Sequence, residues 1–207
     1  GETLHSMETA SRLALQLTLP YGSNSQIIEN LTSELGLTMN ASTYFASFII
    51  KTNLFLDNST PSMADFFQEL KSFLAPFHMQ CIYLEKKMQY LVYFLFSQTE
   101  PTSRQLQSVS NYFCEQFAKF GRYSMACGNP VTGISKAYQT YTSAVILLQS
   151  SYFFPENTLL TPVLLDEIPE VQNNIFADTP ATDFADALSR LDHEAVDNIL
   201  QKLYTTF

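Results

Sequence analysis

The stretch closest to a chemical motif is Gly128-Asn129-Pro130-Val131-Thr132-Gly133-Ile134-Ser135, which has the glycine spacing and terminal hydroxyl of a phosphate-cradling loop. Ile134 stands where such a loop needs its lysine, and Lys136, two places on, points off that side of the helix that follows. A strand–turn–helix joint is therefore the reading these residues support. The other glycines, Gly1, Gly22, Gly36 and Gly121, complete no G-x-G-x-x-G fingerprint, and no G-x-S-x-G holds a serine nucleophile. His5, His78 and His193 stand far apart, with no Cys or carboxylate at ligand spacing, so no metal centre is expected. His78 follows Pro76-Phe77 at a strand start, where a hydrogen-bonded structural histidine is expected. Cys81, Cys114 and Cys127 stand singly inside apolar runs, an odd count without C-x-x-C spacing, and read as reduced, buried, small hydrophobes. Asp65 and Glu69, and Asp183 and Asp186, lie one turn apart on helices as ordinary surface pairs. No catalytic residue, metal ligand or cofactor is assigned from these positions.

The elements that would have to position any site come from a chain of 207 residues, enough for one large domain or one domain with a helical appendage. Apolar residues make up 46% and charged residues 15%, with 17 Phe and 11 Tyr, a balance that excludes disorder. The net charge of −9 has the wrong sign for neutralising phosphates, so direct nucleic-acid contact is not expected. Nine acidic residues against Arg190 and Lys202 concentrate that charge in residues 166–207. Such a run reads as a solvated face, or as a docking surface for something basic. No run approaches the roughly 18 continuous apolar residues of a membrane span, and residues 7–19 are too polar for a signal peptide. The expectation is a soluble, cytoplasmic protein.

Periodicity then supplies the elements. Residues 2–17 carry Leu4, Met7, Ala10, Ala14 and Leu17 at helical spacing, and a second helix spans 25–35 with Gly36 as its stop. Residues 43–51 are β-branched and aromatic, a strand. Ser62 caps a helix carrying Phe66, Phe67, Leu70, Phe73 and Leu74, ended by Pro76. Two apolar runs, 79–84 and 88–96, flank Glu85-Lys86-Lys87 and read as an antiparallel hairpin. Thr102 and Gln105 form a capping box for a helix with Leu106, Val109, Phe113, Phe117 and Phe120 on one face. Strand 122–127 leads to a helix whose expected inward stripe is Ile134, Ala137, Tyr138, Tyr141, Val145 and Leu148. A weak strand, 158–164, and two amphipathic helices near 182–191 and 192–206 close the chain.

From residue 43 the order β-α-β-β-α-β-α-β predicts an α+β fold, a ferredoxin-like core extended by a helix and a strand. The expected parts are an N-terminal helical segment, 1–39, an αβ domain, 40–165, and a C-terminal helical segment, 166–207. The end segments, with Leu13, Ala14 and Leu17 at one end and Phe184, Leu188, Leu191, Val196, Ile199, Leu200 and Leu203 at the other, are expected to lie outside the αβ core.

Gly128-Asn129-Pro130-Val131, Ala137-Tyr138, Ala144-Val145 and Tyr152-Phe153-Phe154 together resemble the middle domain of bacterial AraC-type transcription regulators and two-component response regulators. That domain is a catalytically dead relative of the GGDEF fold of diguanylate cyclases. Two positions depart from the pattern: Ala137 replaces a usual Ser, and Tyr141 a usual small Ala. The resemblance implies a GGDEF-like antiparallel or mixed sheet with helices packed on it, and N- and C-terminal helices joining other domains. It implies a non-enzymatic module that relays or senses a signal between a receiver domain and helix-turn-helix DNA-binding domains, and it admits a homodimer. A working cyclase carries glycines and acids at its hairpin turn and a metal-binding Asp at the end of its first strand. Here those places hold Glu85-Lys86-Lys87-Met88 and Ile50-Lys51-Thr52-Asn53. Cations there oppose Mg²⁺, so cyclase activity is expected to be absent, and the 85–88 segment is expected to be a tight, exposed turn. A degenerate nucleotide-binding enzyme and a pure dimerisation scaffold are the alternatives.

Overall fold

A computed structural model describes residues 4–52, 63–86 and 90–162. The chain divides into two compact units, Gly1–Thr161 and Pro162–Phe207. The elements named below belong to the first. The tail helices expected over 182–206, the acidic pair Asp183 and Asp186, His193 and the cap Ser62 lie outside the described residues.

Five α-helices and six strands are present among the described residues: α1 Leu4–Leu17, α2 Ser25–Leu35, β1 Tyr44–Thr52, α3 Met63–Leu74, β2 Gln80–Lys86, β3 Tyr90–Ser97, α4 Ser103–Phe120, β4 Tyr123–Cys127, β5 Val131–Thr132, α5 Ala137–Gln149 and β6 Leu159–Leu160. The sheet runs β2-β3-β1-β4-β6, with β5 paired to β1. The β1–β3, β2–β3, β1–β4 and β1–β5 pairs are antiparallel and β4–β6 is parallel, so the α+β class holds and the sheet is mixed. β3 lies between β1 and β2 although it follows both in the chain.

That central placement explains the composition of β1 and β3. Both are buried along almost their whole length, because helices cover both faces, so their sequences are continuous apolar runs rather than alternations. On one face Phe48, Ile50, Tyr93 and Leu95 pack against Phe66, Phe67 and Leu70 of α3 and Val109, Phe113 and Phe117 of α4. Phe113 is the hub: its ring stacks on Phe48 at 4.4 Å and meets Tyr93 edge-on at 5.2 Å. The other face, carrying Phe45, Ile49, Val92 and Phe94, is covered by α1 and α5.

Local signals end the elements where the sequence places them. Gly36 adopts φ 64°, and its N–H and that of Leu37 donate to Ser33 and Thr32, closing α2. Thr102 and Gln105 exchange side-chain and backbone bonds at 2.9 and 3.2 Å to open α4.

Four expectations need correction. Helix α1 is part of the layer that covers β2 and β3, with Leu13, Ala14 and Leu17 fully enclosed, and so does not stand outside the αβ core. Its Leu4 is 74% exposed, off the buried stripe. Glu85 and Lys86 extend β2, opposite Leu91 and Tyr90, and do not belong to a turn; Lys87 and Met88 lie outside the described residues. The buried stripe of α5 is Ala137, Thr140, Ala144, Leu147 and Leu148. Tyr138, Tyr141 and Val145 are only half-buried on its flank, and Ile134 sits in a preceding 3-10 turn, Ile134–Lys136. A short strand, β5, pairs with β1 inside the expected 128–133 turn and delays the start of the helix.

Candidate functional site

At one end of the sheet three residues form a row on one face. Tyr90 at the start of β3 pairs with Lys86 on one side and with Lys51 on the other. Lys51 Nζ lies 5.9 Å from the centroid of the Tyr90 ring. Lys86 Nζ donates a 3.1 Å hydrogen bond to Tyr141 Oη and lies 5.1 Å from that ring's centroid. Aromatic faces and a phenol oxygen are partners for ammonium groups, not ligands for a divalent cation. Glu85 projects to the opposite face from Lys86, as alternation requires, and is exposed. Two flanking positive charges raise the local potential and disfavour Mg²⁺ at this row. Among the described residues no group of three or more His, Cys, Asp or Glu is placed to hold a metal ion.

The glycine loop is closed to phosphate for a different reason. An anion-binding loop must point free N–H groups at its ligand. Here Gly128 N donates to Ser47 O at 3.0 Å, Asn129 N to Ser143 Oγ at 2.8 Å, Gly133 N to Thr43 O at 2.8 Å and Ile134 N to Asn40 O at 3.0 Å. The loop is spent on stitching β1, β4 and α5 together. Thr140 adds to that seam from inside: its Oγ1 accepts from Ser47 N at 3.1 Å and lies 3.3 Å from Ser47 Oγ, both residues fully enclosed. The sequence reading missed Thr140, since a threonine in an apolar stripe carries no signal until its partner is known.

The remaining candidates separate. His5 Nε2 contacts Glu34 Oε1 at 2.8 Å, an exposed tie between α1 and α2, and Thr9 Oγ1 donates to the same oxygen. His78 is exposed, and its backbone, at φ 56°, ends the 3-10 turn that follows α3; its place is set by backbone bonds rather than by a side-chain role. Asp65 and Glu69 are exposed on α3. The three cysteines are free thiols, but only Cys81 is buried as expected; Cys114 and Cys127 are half-buried. Burial pushes the Cys127 thiol up to about 12 and raises Cys81 and Cys114 as well, so none is an activated nucleophile. Lys136 is exposed.

A groove of about 710 Å³ follows β2, with Met7 and Ala10 of α1 on one side and Phe67 and Lys71 of α3 on the other. That size is within the range of ligand sites. Nothing in the local sequence marks it, because it depends on β2 being at the border of the sheet. Among the described residues no helix is long and apolar enough to cross a membrane. No protein-family model matches the chain, and no curated protein matches it in sequence.

Proposed function

We propose that the chain is a non-enzymatic regulatory module of the AraC-type response-regulator kind, with a ferredoxin-like core of the degenerate GGDEF type. In such a parent it relays or senses a signal between a receiver domain and helix-turn-helix domains in the cytoplasm of a bacterium. The supporting observation is the row Lys86–Tyr90–Lys51, which puts two cations and a phenol at the strand ends where cyclase chemistry needs acids. The order β2-β3-β1-β4 is the split arrangement that a β-α-β-β-α-β core adopts, and so supports the fold part of the reading.

The test has two arms. Thermal unfolding with GTP and Mg²⁺, together with an assay for a cyclic dinucleotide product, should give no shift and no product; either would return the enzyme alternative. Charge reversal at Asp183, Asp186 and Asp197 in the full-length parent should change transcriptional output. Unchanged output and unchanged oligomeric state would mean that the acidic face is only a solvated surface with no partner.

A further inference from the structure

We draw no further inference here: the strongest candidate, the side-chain cluster of Lys51, Tyr90, Lys86 and Tyr141 at one end of the sheet, belongs to the site already described, and nothing in the structure shows what covers it.

Discussion

Gly128, just after β4, lies against the Thr140 carbonyl of α5, so close that a Cβ at position 128 would fall on that oxygen and also meet Ser143 Oγ at 2.8 Å. The same contact brings Asn129 N within reach of Ser143 Oγ and Thr140 Oγ1 within reach of Ser47 N. A glycine is required here by space, since the nearest atoms belong to the Thr140 carbonyl, helix backbone that cannot rotate away.

Gly128→Ala should therefore cost about 3 kcal/mol, the upper part of the overpacking range. Urea unfolding of the purified chain measures it. A cost below about 0.5 kcal/mol would show that α5 does not sit this tightly on β4.

The Lys86–Tyr141 bond ties the hairpin to α5. Tyr141→Phe removes the acceptor while keeping the ring over the ammonium group, and should cost about 0.5–1.5 kcal/mol. Hydrogen exchange at the Lys86 and Tyr90 amides should rise in that variant. Unaltered exchange would mean that the hairpin end is held by the strand ladder alone.

Two aromatic truncations should differ in size. Phe113 is fully enclosed and touches rings from β1, β3, α3 and α4, so Phe113→Ala should cost about 3–5 kcal/mol. Tyr138 is half-buried on the flank of α5, so Tyr138→Ala should cost about 1–2 kcal/mol. Equal costs would place the α5 stripe where periodicity alone puts it.

Stability should fall at alkaline pH. Burial raises Cys81 and Cys127 above their ordinary 9.0, and Tyr93 and Tyr123 above 10.0. The folded state keeps these protons while the unfolded chain releases them, so the contribution is complete below pH 9 and is lost as pH rises toward the folded-state values. Each such group that has ionised in the unfolded chain steepens the loss by about 1.4 kcal/mol per pH unit. Denaturant midpoints from pH 7 to 11 should be flat and then descend. A flat profile to pH 11 would contradict the burial of these groups.

Tyr93 gives a sharper version of the same point. Its hydroxyl is enclosed and has no hydrogen-bond partner among the described residues, and its ring stacks on Tyr83 at 5.6 Å. Tyr93→Phe removes a polar atom whose burial is unfavourable, and should leave stability unchanged or raise it by about 1 kcal/mol. A loss above about 1 kcal/mol would show that the hydroxyl is bonded in solution.

The sequence by itself determined what depends on neighbours in the chain. The capping box at Thr102 and Gln105, the Gly36 stop and the long apolar runs of β1 and β3 were legible, because a cap or a run is complete within a few residues. So were the cations near the hairpin end and, apart from β5, the order of the elements from α1 to β6. Tertiary structure decided what those elements face. Thr140 is buried because Ser47, 93 residues away, supplies its partner; by pattern alone the stripe of α5 was centred on Tyr138 and Tyr141. Lys86 became a strand residue because Tyr90 pairs with it and Tyr141 receives its ammonium group. The groove at β2 exists because β3 inserts between β1 and β2 and leaves β2 at the border between α1 and α3. Strand order is a choice among long-range pairings, and no local run of residues encodes which strands become neighbours.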